Sequence, residues 1–261
     1  MKIVETRCKT ALSKSNLPGL DYSLNPYKGC EHNCAYCYVP NILRIKRQNW
    51  GNFVEIKTNI PNVLSKELKK VKSGVVGIST VTDPYQPTEK KYKLTRYCLE
   101  QLLIYDSSVH IQTKSSLIYR DVDLISKLSN IEVMFSIGTI NDSERKILEP
   151  KSSTIEKRLE TLKKLSDIGI KTSIFFGPIY PSVNLKNISE IIDVFLESDV
   201  KEIMLDKLNI KPGISSSIDN RLLLHKWTDF SSGSFNKNYL KIRDEIKTIC
   251  KQKNVIIQDA F

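Results

Sequence analysis

The chain has 261 residues, of which 40% are hydrophobic, and this is enough apolar surface to bury one sizeable core. No apolar run approaches the roughly 20 residues that span a bilayer, and residues 1–14 lack a signal-peptide core, so we expect a soluble cytoplasmic protein without membrane association. The formal net charge of +11 makes nucleic acid a candidate partner, although a dispersed Lys-rich surface also serves solubility alone.

Short apolar runs alternate with longer segments of helical periodicity along most of the chain. Residues 21–25 are short and extended and lead into a cysteine-rich loop. The later runs predict strands at residues 74–81, 108–113, 131–137, 171–177 and 202–206, with a last apolar piece at 254–258. Helices are predicted at residues 91–105, 121–128, 142–148, 153–168, 187–197 and 235–251.

This alternation predicts an α/β fold. Near-continuous apolar strands separated by helices are typical of a parallel sheet that is covered on its faces. Six such units without a low-complexity linker favour a barrel or partial barrel in a single domain. In such barrels the functional residues lie where strands end and the following loops begin, so these positions supply the candidates.

Three of the six cysteines lie within eight residues, at Cys30, Cys34 and Cys37, in a C-x₃-C-x₂-C pattern. Three thiolates on one loop can each bind one iron of a [4Fe–4S] cubane, which leaves the fourth iron without a protein ligand. A small molecule with an amine and a carboxylate, such as the methionyl part of S-adenosylmethionine (SAM), can chelate there. The alternative is a zinc site with His32 or Cys98 as the fourth ligand.

The cysteine pattern, with the aromatic Tyr36 before the last cysteine, resembles the signature of the radical SAM superfamily. The chain is similar in particular to the spore photoproduct lyase-like family, and the similarity covers roughly residues 20–210. The segments that carry it are LNPYKGCEHNCAYCY (24–38), VTDPYQPTEKKYKLTR (81–96), IQTKSSLIYRDVDLI (111–125), SIGTIND (136–142), the Glu149-Pro150 and Arg158-Leu159 pairs and GPIYPSVN (177–184).

This resemblance implies a partial (β/α)₆ radical SAM barrel with a [4Fe–4S] cluster and SAM as cofactors. The expected reaction is reductive cleavage of SAM to methionine and a 5′-deoxyadenosyl radical, which abstracts hydrogen from a substrate. An external electron donor such as a flavodoxin or ferredoxin is then required. The corresponding division of the chain is an N-terminal extension (1–20), the radical SAM core (21–210) and a C-terminal helical extension packed on the barrel (211–261).

The resemblance also implies which residues bind SAM beside the cluster loop that contains Tyr36. Thr82 and Asp83 end a strand where many radical SAM proteins hold the SAM amino group, although Asp83 also begins a proline-stiffened turn. Lys114 offers a compact cation to the SAM carboxylate, and its alternative role is that of a solvated strand-end lysine.

Three further residues complete the predicted SAM site. Ser136 is suited to hydrogen-bond the SAM ribose or carboxylate. Arg158 is expected to reach the same carboxylate or to pair with Glu149. Gly177, followed by Pro178, is expected to bring the backbone close to the adenine, because glycine has no Cβ.

The substrate side is less defined by the sequence. Tyr85, Tyr180 and Asp206 end strands or begin their loops and are candidates to face the substrate. The loop 210–217 is a candidate to cap the mouth of the barrel.

The chain departs from the family in one respect. Spore photoproduct lyases use an additional cysteine after the cluster to return a hydrogen atom, whereas residues 74–83 here contain none and Cys98 lies on the following helix. Repair of spore photoproduct is therefore not expected, and the catalytic residues and the substrate stay unassigned. The rival function is that of a non-catalytic iron–sulfur or zinc protein that binds nucleic acid.

Overall fold

The computed structural model describes residues 1–71, 73–180, 182–222 and 232–260. Its strands are β1 (Lys2–Thr6), β2 (Leu12–Lys14), β3 (Tyr22–Leu24), β4 (Tyr27–Lys28), β5 (Phe53–Lys57), β6 (Val75–Ile78), β7 (Ser108–Thr113), β8 (Ile131–Ser136), β9 (Lys171–Phe176), β10 (Glu202–Leu205) and β11 (Ile256–Asp259). Its α-helices are α1 (Val39–Ile42), α2 (Ile60–Leu68), α3 (Glu89–Tyr92), α4 (Leu94–Ile104), α5 (Val122–Ile125), α6 (Asp142–Leu148), α7 (Ile155–Asp167), α8 (Ile188–Leu196), α9 (Ile214–Leu222) and α10 (Ser232–Gln252).

Eight strands form the main sheet, in the order β11-β10-β9-β8-β7-β6-β3-β2. Within this sheet all neighbouring strands run parallel except β2, which pairs antiparallel with β3 at one edge. Because β2 and β11 are the two edges of this sheet, the barrel is partial. The α/β architecture predicted from the alternating pattern is thus confirmed, with β11 as the last of the parallel strands.

The alternation of side chains along β8 shows how the sheet separates its two faces. Val133 and Phe135 are fully buried, whereas Met134 and Ser136 line an internal cavity on the opposite face. On the outside, helix α7 covers the sheet with the buried side chains Ile155, Leu162 and Leu165, whose spacing places them on one helix face. No helix in the described ranges is both long and apolar enough to cross a bilayer.

A second, three-stranded sheet in the order β1-β5-β4 was not predicted from the sequence. Strand β1 pairs parallel with β5, and β4 pairs antiparallel with β5. The reason is physical: β1 is largely exposed and β5 alternates buried with half-buried residues, so neither forms the continuous apolar run that marks the main strands.

Three predicted elements differ in the structure. The predicted strand 74–81 ends at Ile78 in β6, where Ser79 adopts φ +62°, so Thr82 and Asp83 lie in the segment after the strand and do not end it. The predicted helix 91–105 is broken at Lys93, which adopts φ +54°, because the Glu89 carboxylate accepts hydrogen bonds from the backbone N–H groups of Thr95 and Arg96 and so begins a new helix. The predicted loop 210–217 is wrong in its second half. Helix α9 begins at Ile214, since Ile214, Ile218 and Leu222 recur every four residues and are buried together.

The buried carboxylate of Glu89 is expected to contribute to the free energy of unfolding. It is fully buried, accepts a hydrogen bond from the Tyr27 hydroxyl and lies 2.6 Å from Arg120 Nη2. We expect Glu89→Ala to lower the free energy of unfolding by about 3 kcal/mol, because it leaves the Tyr27 hydroxyl, the Thr95 N–H and the Arg120 guanidinium without this partner. Glu100→Ala, which removes only a half-exposed pair with Arg96, should cost ~0.5 kcal/mol or less in the same urea titration. Equal effects would contradict this account.

Candidate active site

An internal cavity of about 540 Å³ opens where the parallel strands end. Residues of the cysteine loop, of the segments after β6 and β7, and of β8, β9 and β10 line it together. All but one of the predicted cluster and SAM residues are among them: Cys30, Cys34, Tyr36, Cys37, Thr82, Asp83, Lys114, Ser136 and Gly177. Arg158 is not among the described residues that line the cavity.

Of the three loop cysteines, Cys30 and Cys34 are buried and Cys37 is half-buried. Burial raises the pKa of the Cys30 and Cys37 thiols and raises the pKa of Cys34 to about 12, so metal binding must release protons. Within the described residues, no three His, Cys, Asp or Glu side chains converge on one point as ligands of a single ion. Thiolates that each bind a different iron of a cubane do not need to converge in this way.

The first half of the cysteine loop is fastened to the turn that follows β6. The Glu31 carboxylate accepts hydrogen bonds from the backbone N–H and the hydroxyl of Thr88. The Gln86 side chain accepts from Glu31 N at 2.9 Å and donates to the Gly29 carbonyl at 3.2 Å. The proline-stiffened turn predicted after Asp83 therefore has a structural task, which is to hold the loop that carries the cysteines.

The Asp83 carboxylate is a second anchoring point, in the segment that follows β6. It accepts hydrogen bonds from Thr113 Oγ1 and Lys114 N, both at 2.8 Å, and lies 3.3 Å from His32 Nδ1. Burial alone would raise the pKa of Asp83, but His32 and these hydrogen bonds lower it to about 2. The carboxylate is thus charged and already engaged with protein groups, so Asp83 aligns the ends of β6 and β7.

The second half of the loop is fastened through Glu149. The hydroxyls of Tyr36 and Tyr180 donate to Glu149, the latter at 3.2 Å, and the Arg158 guanidinium pairs with the same carboxylate. Burial opposes ionisation, yet Arg158 and the hydrogen bonds lower the pKa of Glu149 to about 2. Arg158 is fully buried and also donates to the Ser136 carbonyl at 2.7 Å. Of its two expected roles, the geometry shows the pairing with Glu149.

Two buried hydroxyls in the cavity lack hydrogen-bond partners in the described part of the chain: Ser79 Oγ and Thr82 Oγ1. Ser79 adopts φ +62°, an uncommon backbone conformation for a residue with a side chain. Because burying an unpaired hydroxyl is costly, the two groups indicate a polar ligand at the end of β6. The Lys114 ammonium lies 6.0 Å from the centre of the Tyr36 ring and supplies a positive charge to the same space.

The far wall of the cavity is formed by β9 and β10. A Cβ on Gly177 would collide with the Phe175 ring and lie 2.9 Å from Asp206 Cβ, so glycine is required here by neighbouring side chains. The Asp206 carboxyl faces the cavity, and burial raises its pKa to about 6. Asp206 thus lines the cavity, and its contact with a substrate stays a prediction.

Other sequence candidates lie elsewhere. Tyr85 is fully buried beneath Arg120, and neither Tyr85 nor Tyr180 is among the described residues that line the cavity. Cys98 is fully buried on α4 and is likewise outside that lining. The sequence analysis did not identify Glu31 and Gln86. Both are polar residues that the structure buries, and no sequence pattern indicates that burial.

The chain matches the sequence model of the Radical SAM superfamily over residues 24–195. It is 36% identical to an uncharacterised protein of Methanocaldococcus jannaschii over 184 residues, which cover 70% of each chain. It is 25% identical to the spore photoproduct lyase of Clostridium acetobutylicum over 177 residues, or 65% of this chain and 49% of the lyase. The Bacillus subtilis lyase is 22% identical over 91% of this chain and 66% of its own length.

Solved structures show the same fold. Spore photoproduct lyase complexed with dinucleoside spore photoproduct superposes with a TM-score of 0.72 and 14% identity, covering 99% of this chain and 82% of the lyase chain. The Streptococcus suis protein SuiB bound to S-adenosylmethionine gives a TM-score of 0.57 and 15% identity, covering 91% and 49%. The chain therefore belongs to the radical SAM superfamily and is a radical SAM enzyme related to the spore photoproduct lyases.

Proposed function

We propose that the chain binds a [4Fe–4S] cluster through Cys30, Cys34 and Cys37 and uses it with SAM to abstract hydrogen from a nucleic-acid-derived substrate. One observation carries the proposal: the three cysteines line the same cavity as the unpartnered hydroxyls of Ser79 and Thr82. Sulfur donors for iron and polar groups for a zwitterionic ligand thus meet at the strand ends.

The donor set fits both cofactors. Three thiols leave one iron of a cubane open, and the cavity beside them presents hydroxyls and an ammonium to the amine and carboxylate of a methionyl group. When bound and reduced, the cluster supplies the electron that cleaves SAM to methionine and the 5′-deoxyadenosyl radical, which removes a hydrogen atom from the substrate. The task of the chain is to orient these groups and exclude water.

Charge and hydrogen-bonding capacity assign each proposed SAM contact to one group of the ligand. Lys114 binds the carboxylate, since its ammonium lies in the cavity beside Tyr36. Burial alone would lower the pKa of Lys114, but the neighbouring acidic groups of Cys34, Glu149 and Asp83 raise it, so the amine stays protonated. The hydroxyls of Ser79 and Thr82 accept hydrogen bonds from the amino group. Ser136, whose hydroxyl accepts from Gln112 at 3.0 Å, is available to the ribose.

The other residues of the predicted SAM site hold its parts in place. Tyr36 fixes the cysteine loop to Glu149, and Asp83 and Arg158 fix the strand ends, so these three are positioning residues. Gly177 keeps the wall of the cavity thin where the adenine is expected to lie.

A nucleic-acid-derived substrate is supported by the net charge of the chain and by residues that line the cavity. The chain carries a formal charge of +11, and the cavity mouth offers the half-exposed ring of Tyr38 with Lys207 and Asn209. In the described part of the chain, the cavity lining contains no cysteine beyond the cluster set.

The rival reading, a non-catalytic iron–sulfur or zinc protein, is set aside because the chain belongs to an enzyme superfamily. Two measurements distinguish it: the metal content of the protein, and SAM cleavage, because a zinc-binding module has no need of SAM.

The cluster and its chemistry are tested together by 5′-deoxyadenosine formation. Anaerobically reconstituted protein, supplied with SAM and dithionite, should make this product, and single-stranded oligonucleotides should increase the yield if they contain the substrate. Cys34→Ala should lose the cluster absorbance and at least tenfold of the product. Cys8→Ala, which changes a cysteine outside the loop, should keep both. Protein that takes up zinc, does not assemble a cluster and ignores SAM would overturn the proposal.

The role of Lys114 is tested by SAM affinity. Lys114→Met removes the charge at similar length, and we expect the Kd of SAM in the reconstituted enzyme to rise by about ten- to hundredfold, the usual worth of a charge-assisted hydrogen bond. Lys114→Arg should recover part of the loss, and Lys207→Met at the mouth should change little. Calorimetric titration checks these values, and an unchanged Kd in Lys114→Met would remove the assignment.

The Asp206 carboxyl predicts a pH dependence of stability. Its folded-state pKa of about 6 lies above the unfolded value of about 4, so its contribution to stability is fully present below pH ~4 and is lost as the pH rises through 6. Asp206→Asn should therefore raise the Tm of the apoprotein by roughly 2–6 °C at pH 8 and leave it unchanged at pH 4. The exposed Asp219→Asn is the control, and an equal response of both variants would contradict the assignment.

A further inference from the structure

A second concave surface lies outside the barrel, on the three-stranded sheet. This basic groove has a volume of about 660 Å³ and is lined by Lys2, Lys28, Arg44, Ile45, Lys46, Asn49, Asn52, Phe53 and Glu55. Four cations therefore surround one carboxylate, and Lys28 pairs with that carboxylate at 2.9 Å. Among the described residues, the lining of the basic groove shares none with the lining of the cavity.

The basic groove is built on the back of the cysteine loop. Ile45, in its wall, packs against a small apolar cluster of Cys30, Val39 and Trp50. Gly29, with φ +86°, passes so close to Phe53 of the groove that a Cβ would collide with the Phe53 carbonyl. The groove residues Ile45 and Phe53 thus lie directly against the segment that carries the first cysteine.

The rim of the basic groove is also tied to the last cysteine. Arg47 Nη2 donates to the Cys37 carbonyl at 2.8 Å and to Asn41 Oδ1 at the same distance. Arg44 and Lys46, which precede Arg47 in the sequence, are exposed at the groove. A partner seated there would contact the segment that is bonded directly to the cluster loop.

We propose that the basic groove is the docking site of an acidic one-electron carrier protein, a flavodoxin-type or ferredoxin-type donor, which reduces the cluster from behind. The inference rests on the proposed function, because it requires a cluster on the three cysteines. In the step itself, one electron leaves the carrier's reduced flavin or iron–sulfur centre, which is oxidised by one electron, and the oxidised cluster is reduced by one electron. No atom is transferred.

The position of the groove favours an electron carrier over nucleic acid. A substrate has to reach the cavity, whose mouth is formed by other residues, whereas a donor has to approach the thiolates without blocking SAM. The groove meets the second requirement and not the first. The positive charge of the groove requires an acidic partner, which excludes a basic protein, and position then decides between an acidic carrier and nucleic acid.

The test uses the reconstituted enzyme and a bacterial flavodoxin as the probe. Charge reversal in Lys2→Glu/Lys46→Glu should raise the Kd for flavodoxin at least about tenfold at low ionic strength and weaken its salt dependence. The rate of cluster reduction by flavodoxin hydroquinone, followed by absorbance, should fall in parallel. The matched control is Lys127→Glu/Lys157→Glu, which changes the net charge equally at two exposed positions away from the groove.

Dithionite separates this inference from the proposed function. The groove variant should make 5′-deoxyadenosine at the wild-type rate with this small reductant, which needs no docking surface. Loss of product in wild type with dithionite would contradict the proposed function instead. Equal flavodoxin affinity in the groove variant and in wild type, an equal loss in the control pair, or a selective loss of single-stranded DNA binding would each overturn the carrier assignment.

Discussion

Three buried carboxylates join the cysteine loop to the barrel, and the arrangement of the site depends on them. Glu31 reaches from the loop to Thr88, Asp83 reaches from the segment after β6 to His32, and Glu149 receives the Tyr36 hydroxyl. The segment from Gly29 to Tyr38 contains no helix or strand in the structure, so no backbone ladder fixes it. Side-chain bonds to fixed strand ends supply the rigidity that secondary structure does not.

Such bonds work only because each carboxylate is compensated. A buried charge without partners costs several kcal/mol, whereas Asp83 and Glu149 are held ionised, with pKa values near 2, by cationic and hydrogen-bonding neighbours. Arg158 then extends the network from Glu149 to the carbonyl of Ser136 at the end of β8. Side-chain bonds of the folded protein thereby fix the position of the loop that carries the three cysteines.

The sequence predicted the parallel strands and the cavity residues because both depend on local patterns: continuous apolar runs and the residues that end them. It did not predict the sheet of β1, β4 and β5, whose strands are short and partly exposed. It also left open whether Arg158 binds ligand or Glu149, since spacing does not reveal which partner a buried guanidinium reaches. Glu31 and Gln86 were missed because their bonds span more than fifty residues.

The three-stranded sheet also explains why the cysteine loop has an inner side toward the cavity and an outer side toward the basic groove. Strands β4 and β5 lie next to Gly29, so they support the loop from outside while the main sheet closes it from inside. Polar groups for a ligand are concentrated on the inner side, with Lys114 facing the cavity. Free cations are concentrated on the outer side, around Arg44 and Lys46. Because the two sets do not overlap, a ligand and a protein partner can occupy the molecule at once without competing for the same residues.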